Sequence, residues 1–379
     1  MSIHVSVGLL SGNTVIVAAM IEEDVDALKI RAQKALGVGG FGLLVDAAGS
    51  ILEESLPIRR AKVKNGGSLG PVQQIHSSGY AFAAILDDET VVTWGDAGFG
   101  GDSSAVQDQL KSVKQIQANC FAFASILANG SVVTWGDARF GGDSSAVQDQ
   151  VKSVQQIQDQ LTNVQHIQAT NTAFAAILGD GSVVTWGDGA KGGDSSAVQH
   201  RLKNVQQIQA AGSAFAAILG DGSVVTWGDA SFGGDSRAVQ DQLKHVQQIQ
   251  ATGTAFAAIL SDGSVVTWGA ASNGGDSSAV QDRLKHVLQI HASKRAFAAI
   301  LGDGSVVTWG NPGKGGDSTA VQKQLKNVKQ LQATLFLTVI QANLTAFAAI
   351  QTDGSLVSWG CDLYGGGSNH NAVEGSLFL

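Results

Sequence analysis

From residue 72 onward the apolar positions come in short bursts separated by glycine. A representative stretch, beginning at Val205, reads VQQIQAAGSAFAAILGDGSVVTWGDASFGGDSRAVQDQLKH. Val205–Ala210 predicts a first strand. AFAAIL, Ala214–Leu219, is apolar on both faces and predicts a strand sandwiched between neighbours. Asp221-Gly222 then favours positive φ and predicts a two-residue hairpin turn. Ser223–Trp227 is rich in β-branched residues and predicts a third strand. After a glycine-rich bend, a short fourth strand is expected near Ser236–Val239, and QDQLKH predicts one helix-like turn. Helical repeats are excluded, because glycine-rich breaks interrupt every unit and no helical period persists.

The unit recurs. Trp94, Trp135, Trp186, Trp227, Trp268, Trp309 and Trp359 are spaced by 41, 51, 41, 41, 41 and 50 residues. The two longer steps have local causes. The V-Q-x-I-Q piece occurs twice around Ile157 and Ile167, and a similar stutter joins Leu331 to Ile340. One unit cannot bury both of its faces, whereas stacked units can. Seven units therefore predict a mainly β fold, a seven-bladed β-propeller over residues 71–379. An open β-solenoid is the competing arrangement.

The run AAILGDGSVVTWGDASFGG resembles the repeats of the regulator of chromosome condensation family. The resemblance covers residues 72 to about 367 and implies a propeller. It also implies, as a second functional class, guanine-nucleotide exchange on a small GTPase. Two departures weaken transfer of any specific activity. Ala173, Ala214 and Ala255 stand where the family has His, and G-G-D-S replaces G-Q-L-G. WD repeats have a similar period, but here glycine follows every Trp.

The first seventy residues differ. They hold seven acidic and seven basic side chains and no Trp. Ile3, Val5 and Val7 alternate as in a strand, Leu10–Asn13 is a turn, and Thr14–Ala18 is a second strand. Asp24 can cap a helix through Leu36, with Val25, Leu28, Ala32 and Leu36 on one face and Gly37 as its stop. Leu43–Val45 is a third strand. This order over residues 1–70 resembles the ubiquitin-like β-grasp, a small α+β domain. A last strand is expected near Ser68–Ile75, where it competes with the first strand of the first repeat. Gly66-Gly67 is internal and is not expected to be a conjugation tail.

Composition narrows the function. Gly is abundant at 48 residues, charged residues make up only 15%, and the net charge is −8. That balance argues against direct nucleic-acid binding. Two cysteines, Cys120 and Cys361, cannot build a disulfide framework, which favours a reducing compartment, cytoplasmic or nuclear. No signal peptide or membrane span is expected, and the Asn129 and Asn343 sequons read as accidental.

The chemical motifs are weak. Gly37–Gly42 matches G-x-G-x-x-G, but it follows a helix and leads into a strand, the reverse of a dinucleotide loop. The Asp-Gly pairs at Asp180, Asp221, Asp262, Asp303 and Asp353 read as hairpin turns, as does Asn129-Gly130. A second series, Asp102, Asp143, Asp194, Asp235, Asp276 and Asp317, reads as structural, with a cation-binding ring of carboxylates as the sharper alternative. The eight His are scattered. No cofactor, metal or enzymatic activity is expected.

Comparing the seven units with one another leaves two variable spots. One is the tripeptide before the second strand, which includes Tyr80, Phe121, Lys294 and Arg295. The other follows each Trp and includes Phe99, Arg139, Phe140, Lys191, Phe232, Asn273, Lys314 and Tyr364. In an up-and-down sheet both emerge at the same end, opposite the uniform Asp-Gly turns. Aromatics and cations concentrated there predict a protein-binding face. The expected function is a non-enzymatic interaction scaffold, an adaptor in ubiquitin-dependent signalling. Its expected partners are proteins, ubiquitin-pathway components or a small GTPase, with neither nucleic acid nor membrane among them.

Overall fold

The computed structural model describes residues 2–8, 14–20, 24–36, 68–69, 72–145, 163–333, 346–351 and 356–360. The chain divides into two compact units, 1–164 and 165–379.

The N-terminal segment forms a hairpin of β1 (Ser2–Gly8) and β2 (Thr14–Met20), followed by α1 (Val25–Leu36). The hairpin pairs Ser2 with Met20 and Gly8 with Thr14. The Asp24 carbonyl accepts the first helical bonds, from Ala27 and Leu28. Val17 and Ala19 of β2 are buried, as are Val25, Leu28 and Ala32 of α1. A two-residue strand, β3 (Ser68–Leu69), returns parallel to β1, giving the order β2-β1-β3. Val72–Ser77 pairs instead with Ala81–Leu86. The chain thus leaves one sheet and enters the next between Leu69 and Val72. The contested last strand is short rather than shared. The expected strand at Leu43–Val45 and the Gly37–Gly42 loop lie outside the described residues.

Seven three-stranded antiparallel sheets follow among the described residues, one for each Trp. In repeat four the strands are Val205–Ala210, Ala214–Leu219 and Val224–Gly228. The first pairing carries a register shift between Val205 and Gln207, and the second places Phe215 opposite Trp227. The hairpin is one residue longer than the Asp-Gly dipeptide suggested. Leu219 N–H donates to Ser223 O and Gly222 N–H donates back to Leu219 O, both at 2.9 Å. Gly222 sits at φ 76°, the left-handed position that closes a three-residue loop.

The expected fourth strand is absent. Ser236–Val239 is a turn closed by Val239 N–H to Ser236 O, and it leads into a short 3-10 helix, Gln240–Gln242. Side chains do the work that a fourth strand would have done. Gln240 Nε2 donates to the Val224 carbonyl at 3.0 Å, on the edge of the third strand. Its Oε1 accepts from Ser236 Oγ, which also bonds Thr226 Oγ1, each at 3.0 Å. Gln107, Gln199, Gln281 and Gln322 make the same edge bond to Val91, Val183, Val265 and Val306. In these five repeats one amide therefore satisfies a buried carbonyl that would otherwise be costly to leave unpaired.

Successive repeats interlock through the AFAAIL strand. Phe215 and Ala217 share a buried cluster with Ala173, Ala175 and Ile177 of the preceding repeat. Ala214, Ala216 and Ile218 point the other way and pack with Phe256 and Trp268 of the following one. The small face of one strand makes room for the aromatic pair of the next. Phe215 and Trp227 stack with ring centroids 5.2 Å apart, and Phe174, Phe256 and Phe297 each stack on their own Trp in the same way. Trp227 Nε1 donates to the Gly192 carbonyl of the preceding repeat at 3.1 Å. Trp135, Trp268 and Trp309 make the equivalent bond to Gly100, Gly233 and Gly274. In repeat one Phe82 stacks on Trp94, yet Phe82 is 40% exposed whereas Phe123, Phe174, Phe215, Phe256 and Phe297 are fully buried. For Trp359 the structure gives the pairing with Phe347 in register.

Candidate interaction face

Each variable tripeptide has three positions with different tasks. The first is a tether. Ser78 Oγ donates to the Phe99 carbonyl at 2.8 Å, and Asn119 Nδ2 donates to the Phe140 carbonyl at 2.7 Å. Thr170, Thr252 and Ser293 reach the carbonyls of Lys191, Asn273 and Lys314 at 3.0–3.2 Å. These bonds join the two variable spots of a repeat into one surface. The second position links neighbouring repeats. Gly79 N–H donates to Cys120 O, Asn171 to Gly212, Gly212 to Gly253, and Gly253 to Lys294, at 2.8–2.9 Å. The third position points the side chain outward in Tyr80 and Arg295, whereas Ser213 is buried.

The residue after each Trp-Gly step presents the second spot. Asp96, Asp137, Asp188 and Asp229 each accept from the amide two residues on, at 2.8–3.0 Å, and so cap a short 3-10 turn. A glycine in the left-handed region ends that turn, as at Gly100, Gly192 and Gly233. The side chain just before this glycine is the variable one.

In repeats one and two these side chains form a continuous aromatic ladder. Tyr80 meets Phe99 edge-on at 4.8 Å, Phe99 stacks on Phe121 at 5.3 Å, and Phe121 lies 4.4 Å from Phe140. The Arg139 guanidinium covers the Phe140 ring at 5.3 Å and also pairs with Asp137. Tyr80 is 71% exposed, and the three Phe are half-buried. In repeats three and four the theme is ionic. Lys191 Nζ bonds Asp229 Oδ2 at 2.5 Å and lies 5.5 Å from the centre of the Phe232 ring. Lys191 and the Ser231 hydroxyl together hold the Asp229 carboxyl at about 2. Asn273 donates to Thr254 Oγ1 at 2.8 Å. Lys294 and Arg295 are exposed. Tyr364 lies outside the described residues.

The repeating carboxylates are occupied by their own turns. Asp102, Asp143, Asp194, Asp235, Asp276 and Asp317 each accept from the amide two residues on, at 2.8–3.0 Å. That bond holds the Asp102, Asp194, Asp276 and Asp317 carboxyls below the usual carboxylate range. Asp180, Asp221 and Asp262 accept from both the amide and the hydroxyl of the next-but-one Ser. Among the described residues no three His, Cys, Asp or Glu come together as a metal-holding group. Among them, too, no helix is long and apolar enough to cross a membrane.

No family model and no curated protein matches the chain. Several solved structures are similar to it. Prp20p of Saccharomyces cerevisiae is 18% identical, with 70% of this chain and 76% of that chain covered at a TM-score of 0.40. The computationally designed protein Ika8 is 14% identical, with 76% and 83% covered at 0.35. The CRINKLY WD40 ectodomain of the Arabidopsis thaliana receptor kinase ACR4 is 16% identical, with 77% and 96% covered at 0.36.

Comparing repeats by eye does not reveal the tethers. Their signal is present nonetheless, since the first tripeptide position is Ser, Asn or Thr in every repeat but the fourth, where it is Ala211. The edge-bonding Gln is likewise readable only as a letter repeated thirteen residues after the Trp in the first six units. Its role becomes visible once the third strand is seen to lack a partner.

Proposed function

We propose that the chain is a non-catalytic protein-interaction scaffold, with its seven repeats closed into a seven-bladed propeller and a client held on the end where the variable spots meet. The observation that carries this reading is the tether. Within each tethered repeat it fuses two independently varying loops into one surface, which exposes Tyr80 and Arg139 in the first unit and Lys294 and Arg295 in the second. Tyr and Arg are the residue types that dominate binding energy at interfaces. Closure is supported by seven three-stranded sheets, one per repeat. The hairpin, helix and parallel return of β3 support a ubiquitin-like β-grasp over residues 1–70, and with it an adaptor role in ubiquitin-dependent signalling.

Affinity capture with the full chain tests the face. Proteins retained by the unaltered chain and by Asp262→Asn, at the opposite end of the strands, are expected to be lost from Tyr80→Ser/Arg139→Ser. An unchanged set of captured proteins would refute the assignment. Stimulated nucleotide release from a panel of small GTPases would replace the scaffold with an exchange factor.

A further inference from the structure

Within the second unit, the middle tripeptide residues of repeats three to six are Asn171, Gly212, Gly253 and Lys294, joined in that order by backbone hydrogen bonds. The backbones approach closely at the two glycines. A Cβ on Gly212 would stand 2.8 Å from Gly253 O, and one on Gly253 would stand 3.2 Å from Lys294 O. The result is a floor without side chains. Asn171 Nδ2 and the Phe232 ring border it at Gly212, at 3.2 and 3.4 Å from that notional Cβ. The Lys294 stem borders it at Gly253, with Cγ at 3.6 Å.

The balance of charge shifts along this floor. Repeats three and four place the capping acids Asp188 and Asp229 beside it, Asp229 paired with Lys191. Repeats five and six have Ala270 and Asn311 at that position, and neither caps its turn through a side chain. Repeat six adds Lys294 and Arg295, both exposed, and neither side chain has a partner among the described residues. The Ser293 tether brings the backbone of Lys314, a third cation, to the same place.

We propose that this floor receives an acidic peptide segment of a client protein, with its carboxylates on Lys294 and Arg295. The proposal rests on the reading of this end of the repeats as the binding face. Glycines let an extended backbone lie close, and the exposed cations supply orientation and speed of encounter. A nucleic acid fits less well, because a polyanion long enough to follow the floor would meet Asp188 and Asp229, and the chain carries a net charge of −8.

Fluorescence anisotropy with a labelled Glu-rich peptide, its Gln-for-Glu counterpart and a single-stranded oligonucleotide tests the idea on the full chain. The Glu peptide is expected to bind, to weaken as salt rises, and to lose about tenfold in affinity in Lys294→Glu/Arg295→Glu. Lys294→Gln/Arg295→Gln should lose part of that, and Lys244→Glu should lose nothing. Equal binding of the Glu and Gln peptides would overturn the proposal, as would an unaffected charge-reversal variant or tighter binding of the oligonucleotide. The capture experiment with Tyr80 and Arg139 uses none of these residues, so failure here and failure of the binding face are separable.

Discussion

At the scale of single residues, the recurring theme is a side chain or glycine placed where the backbone demands it. Ser112, Asn163, Asn204, His245, His286 and Asn327 sit at φ between 53° and 61°, just before the first strands of repeats two to seven. Asn and His tolerate this region better than Ser. Ser112→Gly is therefore expected to raise the unfolding free energy by about 0.5–1 kcal/mol, and His245→Gly and Asn204→Gly by less, as read from denaturant midpoints. A second residue-scale expectation concerns acid. The Asp229 carboxyl is held at about 2 by Lys191 and Ser231. Its folded-state affinity for a proton is thus lower than in the unfolded chain. The stability it contributes is complete above about pH 4 and is lost as pH falls toward 2. Asp229→Asn should flatten the acid limb of a stability–pH curve over that window and leave the neutral region nearly parallel to wild type. Lys191 was legible in the sequence only as a variable cation, and Asp229 did not stand out at all. Their pairing across repeats depends on which loops the strands bring together.

At the scale of the element, the AFAAIL strand sets the spacing between repeats. Ala216→Leu would drive a branched side chain into space filled by Phe256 and Trp268, at a cost of about 1–3 kcal/mol. Trp227→Phe keeps the stack on Phe215 but leaves the Gly192 carbonyl unpaired, and it should cost about 1–3 kcal/mol in thermal or chemical unfolding. The three strands and the turn were legible because period, β-branching and Asp-Gly each speak for a local structure. The fourth strand was not, and the reason is physical. Ser236–Val239 is only four residues long, and a Gln side chain four residues after Ser236 competes for the same edge carbonyl. The competitor wins because it satisfies the carbonyl without fixing a whole strand. Likewise the hairpin loop gained a residue, since Gly222 is needed after the turn rather than inside it.

At the scale of the whole molecule, the tryptophan spacing was the decisive legible feature, because a repeated unit with two apolar faces must stack. The candidate face was legible only in part. Variation between units located both spots, and strand direction placed them at one end. However, several of those residues are engaged between or within repeats. Phe99 and Phe121 stack on each other, Lys191 is held by Asp229, and Asn273 by Thr254. Tyr80, Arg139, Lys294 and Arg295 are the ones left most open to solvent.

The Trp-to-glycine bond also gives the stack a direction. Each repeat passes its aromatic pair backward to its predecessor and offers alanines forward to its successor. A chain emerging from the ribosome therefore meets its neighbours in a favourable order. The Phe256–Trp268 pair finds a face of Ala214, Ala216, Ile218 and Val224 already formed behind it, and the growing end displays aliphatic rather than aromatic side chains. The converse arrangement would leave stacked aromatics bare until the next unit arrived. Fragments cut after repeat five should accordingly stay soluble, whereas fragments begun at repeat five should precipitate, with Phe256 and Trp268 uncovered. Centrifugation of the two after expression would separate these outcomes.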